Sequence, residues 1–212
     1  MKKVTVTPLN AVVLNGKATE LTEKQVKSII DSLGFENRRG SRRLSDIKVG
    51  DTFKIGKHEF IVLEQSGDTT AALSKSLIED DVQFGDAPDF EKSNVRKVLV
   101  KFGAELACEI GPDALVNHTV DQTTLDGMKH YGSTRAPVSL MTIDHVRRYA
   151  DVLDNHKVGK WYWLATPWSV PGRGCERGMC VVAPSGYVDF SYSIGDGGVR
   201  PFCILKSDIF VS

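Results

Sequence analysis

The chain contains no apolar run longer than a few residues, so it offers no segment of the length a helix needs to cross a bilayer, and membrane insertion is not expected. Net charge is missing too. Its 27 Lys and Arg balance 27 Asp and Glu, which argues against coating nucleic acid through one basic face. Cysteine is sparse at 4 residues in 212. Only Cys175 and Cys180 stand at a C-x4-C spacing, and His58, His118, His130, His145 and His156 are scattered. A structural zinc site wants two compact ligand pairs, so Cys175, Cys180 and Cys203 are weak ligand candidates, and neither metal nor cofactor is expected. The chain also lacks G-x-S-x-G, H-E-x-x-H, a P-loop, and a G-x-G-x-x-G following a strand. Met1-Lys2-Lys3-Val4 leads into Thr and Pro rather than an apolar segment. No secretory signal is expected, and the reading is cytoplasmic where made, with reduced thiols.

The chain does contain ordinary globular material: 41% hydrophobic and 25% charged residues. The zero charge is a cancellation. Residues 1–48 hold ten bases and five acids, residues 49–92 four and ten, and residues 93–212 thirteen and twelve. A local, charge-steered contact through the basic start or the acidic middle is therefore open.

Residues 1–43 read as a strand–helix leader. Lys3–Thr7 alternates as a short strand, and Thr22 with Gln25 forms a capping box. Behind it, Val26, Ile29, Ile30 and Leu33 form the stripe of a helix ending at Gly34. Arg38, Arg39, Arg42 and Arg43 then form a basic linker, either solvated or touching an anionic partner such as nucleic acid.

The main domain is expected from Leu44 to Ser212. Residues 47–56 read as a hairpin with a Gly-Asp turn, followed by strands at 59–63 and 70–73. Residues 79–91 carry six acids and no base and read as a polar loop. Ser93 caps a helix whose inward stripe is Val95, Leu99, Phe102 and Leu106. Residues 108–137 show no clear period. A strand follows at 138–141, and Thr142 caps a helix with Ile143, Val146, Ala150 and Leu153 inward. Strands are expected at 161–165, 180–183, 187–192 and 199–205. The expected class is α+β, mostly antiparallel β with two or three helices.

Several segments in order resemble a family of bacterial and phage proteins of unknown function. They are Val49-Gly50-Asp51 with Phe60-Ile61-Val62-Leu63, Ser93-Asn94-Val95-Arg96 with Leu99, and Val138-Ser139-Leu140-Met141-Thr142. Trp161–Pro167, Val182–Val188 and Gly198-Val199-Arg200-Pro201 complete the series. Ala165 departs from it, since the family more often has Arg there. The ending is also similar to the C-type lectin and formylglycine-generating-enzyme fold. That similarity implies a lectin-like C-terminal core with binding through variable loops, an analogy of fold and not of function.

Individual residues divide along these lines. Trp161 and Trp163 share one face of an alternating strand and read as core pillars, with Tyr162 opposite. Arg96 and Arg200 read as structural clamps. Trp168 follows Pro167 and is a contact candidate, joined by Arg173, Arg177, Tyr187, Tyr192 and Asp196 in loops of recognition-like composition. His118 and Asp121, beside Thr119, Thr123 and Thr124, form the most polar cluster open to acid–base work. Asp144-His145 with Ser139 is no triad by spacing alone.

The leading expectation is a non-enzymatic recognition protein of phage or prophage type with a protein or glycan surface ligand, virion association included. A second is an inhibitor of a host defence system that presents Asp80, Asp81, Asp86 and Asp89 to an intracellular protein. A third is an oxidoreductase-like enzyme on the formylglycine-generating type of fold, using Cys180 and Cys203. Oligomeric state is open.

Overall fold

The computed structural model describes residues 11–14, 17–20 and 42–212. Two compact units divide at Ser41 and Arg42. In the first, β1 (Ala11–Leu14) pairs antiparallel with β2 (Lys17–Glu20). The expected strand at Lys3–Thr7, the capping-box helix at 22–33, and Arg38 and Arg39 lie outside the described residues.

The second unit opens two residues before the expected Leu44. Here β3 (Arg42–Arg43) pairs with β17 (Phe210–Val211), and the Arg43 guanidinium lies 5.6 Å from the Phe210 ring centre. Arg42 and Arg43 thus belong to a folded strand rather than to a linker, because the C-terminus offers them a partner edge.

One sheet runs β11 (Val138–Ser139), β16 (Phe202–Lys206), β6 (Thr69–Ser74), β5 (His58–Ser66), β4 (Thr52–Ile55), with β8 (Leu115–Val116) also on β16. The other runs β14 (Val188–Tyr192), β13 (Gly178–Val182), β12 (Tyr162–Pro167), β15 (Asp196–Val199), β7 (Glu79–Gln83). Among the described residues only β12–β15 is parallel. A hairpin of β9 (His118–Asp121) and β10 (Ser133–Ala136) stands apart. With three helices among the described residues, the class is α+β and mostly antiparallel.

A pair of long strands joins the two sheets. β6 continues into β7 and β15 into β16, with Ser74 N–H on Pro201 O at 2.8 Å and Ile78 N–H on Val199 O at 2.9 Å. Residues 199–205 are therefore not one strand: Pro201 cannot donate to the ladder, and the chain bends at Arg200-Pro201. Glycine is needed beside this bend. A Cβ at Gly197 would sit 2.8 Å from the Trp163 ring.

Helix α1 (Asn94–Ile110) starts where Ser93 Oγ accepts from Arg96 N–H at 2.9 Å, and stops at Gly111, whose φ of +86° is left-handed. It places Val95, Leu99, Phe102 and Leu106 in one core with Phe60, Val62, Trp163 and Val181. The second core lies under α2 (Ile143–Arg148) and α3 (Ala150–Asp154), with Ile61, Leu63, Tyr162, Leu164 and Cys180. Alternate residues of β5 and β12 enter different cores, so these two strands are buried on both faces and read as near-continuous apolar runs. Each fully buried large side chain contributes about 1.5–3 kcal/mol.

Four local expectations are corrected. The first hairpin turns at Gly56-Lys57, not at Gly50-Asp51: the register pairs Ile55 with His58, while Gly50 N–H bonds Val62 O at 2.8 Å. The acidic segment 79–91 is not one loop, since β7 is held by backbone bonds to β15, and Phe90–Lys92 closes into a 3-10 turn. The irregular stretch 108–137 hides β8, β9 and β10, too short to show a period. The helix after Thr142 breaks at Tyr149, where φ −108° and ψ 19° are not helical, and Ala150 turns outward. Among the described residues no helix is long and apolar enough to cross a membrane.

Candidate functional site

β14 is the outermost strand of its sheet and pairs only with β13 among the described residues. Ala183 N–H bonds Tyr187 O at 2.9 Å and Ser193 N–H bonds Arg177 O at 2.7 Å. Antiparallel alternation then turns the odd residues of 187–193 toward β13 and the backbone groups of Val188, Phe190 and Tyr192 away from it. Two of these outward groups are covered locally: Phe190 N–H by Asp189 Oδ1 at 2.8 Å, and Tyr192 O by Gly195 N–H at 2.7 Å.

Aromatic rings line this edge. Trp168 follows the buried Pro167 and is held by its N–H on Gly178 O at 2.8 Å. Its ring lies 5.0 Å from Phe190, which lies 6.0 Å from Tyr192 at 89°. At the strand's start, Tyr187 meets Trp161 edge-on at 5.6 Å. Tyr187 and Tyr192 are each 55% exposed, and Phe190 and Ile194 also face solvent. Monomers rarely leave contiguous apolar surface of this kind without use.

Trp161 is corrected here. It is 40% exposed, against 0% for Trp163. Both follow the same alternation, but Trp163 is covered by Phe84 at 5.5 Å and donates its Nε1–H to Val82 O at 2.8 Å. Trp161 stands ahead of β12, where its ring finds Tyr187 instead.

The other sequence candidates are distributed as follows. Arg177 is exposed beside Ser193 and forms no ion pair among the described residues. Asp196 opens β15 one turn beyond Tyr192. Arg173 is tied to the β9–β10 connection through Asp126 at 3.4 Å, a carboxyl held below the usual range chiefly by the Thr124 hydroxyl. The structure thus gathers Trp168, Arg177, Tyr192 and Asp196 around the end of β14, with Tyr187 at its start. Phe190 and Ile194 complete the surface. The apolar even positions Val188, Phe190 and Tyr192 are the sequence signal that would have found Phe190.

Arg200 is 1% exposed and donates to three carbonyls: Nε to Ser74 O at 2.9 Å, and Nη2 to His156 O at 2.9 Å and to Lys75 O at 3.4 Å. It thereby fastens the bend between the sheets to the segment after α3. Arg96 pairs with Glu91 at 3.8 Å and lies 5.8 Å from the Phe90 ring, bracing the turn before α1.

The acidic residues are partly neutralised within the fold. Asp80 is ion-paired with Lys160, and Asp89 pairs with Lys92 at 2.9 Å while accepting from Glu91 N–H. Asp81 sits at φ +54°, and Asp86 borders a surface cleft of about 530 Å³ beside Asp89 and Arg177.

The clusters open to catalysis do not converge. On β9, His118 and Val120 point inward while Thr119 and Asp121 point outward. Asp121 accepts from both Thr123 N–H and Oγ–H, at 2.8 and 2.7 Å. His118 Nε2 lies 2.8 Å from Ser139 Oγ, but the serine is fully buried and its hydroxyl bonds Leu140 O. Burial pushes the His118 pKa down to about 4. His145 Nδ1 accepts from Thr142 N–H at 3.1 Å, closing a capping box rather than activating Ser139. Cys180 and Cys203 lie in different cores, and burial pushes both thiols up to about 12, far from the thiolate a redox centre requires. Cys175 is exposed at φ +50°. No group of three or more His, Cys, Asp or Glu is placed to hold a metal among the described residues.

No protein-family model, curated protein or solved structure is matched by the chain. The likeness to the phage and lectin-type families therefore rests on the quoted sequence segments alone.

Proposed function

We propose that the chain is a non-enzymatic recognition protein that takes an extended segment of a partner protein as an added strand on β14. The observation behind this reading is the open edge of β14 flanked by Trp168, Phe190 and Tyr192. Strand addition draws affinity from main-chain hydrogen bonds and specificity from alternate side chains, and β14 offers both. A glycan would use the rings but leave the outward groups of Val188 and the outward N–H of Tyr192 unpaired, so the edge favours a peptide. Arg177, beside Ser193 and without an ion-pair partner among the described residues, favours an acidic residue in that peptide.

The test is selection of peptides from a random displayed library on the full chain, followed by hydrogen exchange of the complex. The expected peptides alternate apolar residues, carry an acid, and protect the Val188 and Tyr192 amides. Phe190→Lys with Tyr192→Lys should weaken them by at least about thirtyfold, the scale of one lost hot spot. Protection confined to another surface, or binding unchanged in the double variant, would overturn the proposal.

A further inference from the structure

A second opening, built from residues that the β14 reading does not use, lies on the other side of the β13–β14 turn. α2, α3 and the segment after them enclose a cleft of about 320 Å³ against β12 and the end of β13. That volume is at the lower end for small-molecule sites. Its walls are apolar: Val146, Leu153, Val158, Val182 and Ala183. Ala150 stands exposed at its mouth. At the rim Lys157 is ion-paired with Asp154, leaving Asp151 as the remaining carboxylate.

Two polar groups line this cleft deep inside, Arg200 at 1% and Tyr162 at 3% exposure. The guanidinium has five N–H donors. Four are assigned: Nε to Ser74 O, Nη2 to Lys75 O and His156 O, and Nη1 to Tyr162 Oη at 3.4 Å. One N–H on Nη1 is left over. Tyr162 accepts in that contact, and its own hydroxyl proton meets no acceptor among the described residues. No carboxylate pairs with Arg200 among the described residues, although a buried charge ordinarily has an opposite charge beside it. Three carbonyls and a phenol solvate this cation without neutralising it.

We infer that this cleft binds a small carboxylate with an apolar body, its oxygens accepting from Arg200 Nη1 and Tyr162 Oη and its body lying against the valines and Leu153. Such a ligand supplies the missing negative charge and uses both spare donors, and the valine-rich walls take the part that water solvates poorly. A neutral amide of the same shape offers an acceptor but no charge, so the site discriminates against it.

Ligand-observed NMR on the full chain tests this with phenylacetate and hexanoate as probes and phenylacetamide and hexanamide as neutral isosteres. At least one carboxylate should bind at least about tenfold more tightly than its amide, the size of one charge-assisted hydrogen bond. Tyr162→Phe should weaken that carboxylate by a similar factor. Because Tyr162 is buried, a second variant guards against misfolding: Ala150→Trp, at an exposed position, should block the mouth and abolish binding with the fold intact by circular dichroism. Failure of both carboxylates to bind, equal binding of acid and amide, or binding that survives Ala150→Trp unchanged would each overturn the assignment.

Discussion

β7 and β14 are the two ends of one five-stranded sheet, and each has a side with no strand beside it among the described residues. β7 begins Glu79-Asp80-Asp81, is irregular where it pairs with β15, and carries Asp81 in the left-handed region. Charge, a bulge and a kinked backbone are the means by which natural sheets keep foreign strands away. β14 has none of the kink and little of the charge. Its register on β13 is unbroken over five residue pairs, and it displays Tyr187, Phe190 and Tyr192 around Asp189 and Ser191. The contrast between a kinked, acidic edge and a regular, aromatic one is the physical case for the proposed recognition through β14.

The sharpest way to break the comparison is to remove what pins the guarded edge. Trp163 lies under Gly197, packs on Phe84 and donates to Val82 O. Trp163→Ala should destabilise the fold by about 3–5 kcal/mol, read as a lowered denaturant midpoint at unchanged slope. A loss under about 1 kcal/mol would mean that β7 is held by something other than this ring.

Acid comes next, because it discharges the carboxylates of β7 only if the fold survives. His118 is neutral and buried in the native state, with its pKa depressed from 6.5 to about 4. Between those values the unfolded chain takes up a proton that the folded chain refuses. Stability is therefore full above pH 6.5 and falls as pH drops toward about 4, by about 3 kcal/mol. Unfolding free energy measured against pH should show this slope, and His118→Gln should flatten it. An unchanged slope in the variant would move the titration to another group.

The kink itself can be sharpened. Asp81→Val places a β-branched residue at φ +54° and should lower stability by about 1–3 kcal/mol, whereas Asp81→Gly should be neutral or mildly stabilising. Equal effects of the two would remove backbone strain as a feature of this edge. The smallest effects are on the surface. Tyr192→Lys should change stability by less than about 0.5 kcal/mol while removing peptide capture, and Lys160→Met, which frees Asp80, by about 0–1 kcal/mol. A large thermal shift in Tyr192→Lys would show that the β14 rings hold the fold rather than face a partner.

The sequence is legible where the chemistry is local. Ser93 and the Val95–Leu99–Phe102–Leu106 stripe define α1 because a cap and a 3.6-residue period need only neighbours in the chain. Thr142 defines the start of α2 for the same reason. The short strands β8, β9 and β10 were invisible, since two to four residues cannot establish a period. The acids of 79–83 concealed a strand, because an edge strand owes its conformation to the partner backbone of β15 and its side chains to solvent. Of the candidate site, Trp168, Tyr187 and Tyr192 were legible as aromatics in a polar, glycine-rich stretch. Phe190 is not, since by sequence it is one more apolar residue of a strand.

The amino-acid order by itself determined the helix caps and the apolar stripe of α1, since each rests on groups close in sequence. Only the tertiary structure decided which of the two tryptophans is buried, which edge is kinked and charged, and that a buried arginine meets carbonyls with no carboxylate beside it among the described residues. Those outcomes depend on what lies across a sheet or at the far end of the chain, and side-chain type carries no record of its distant neighbours.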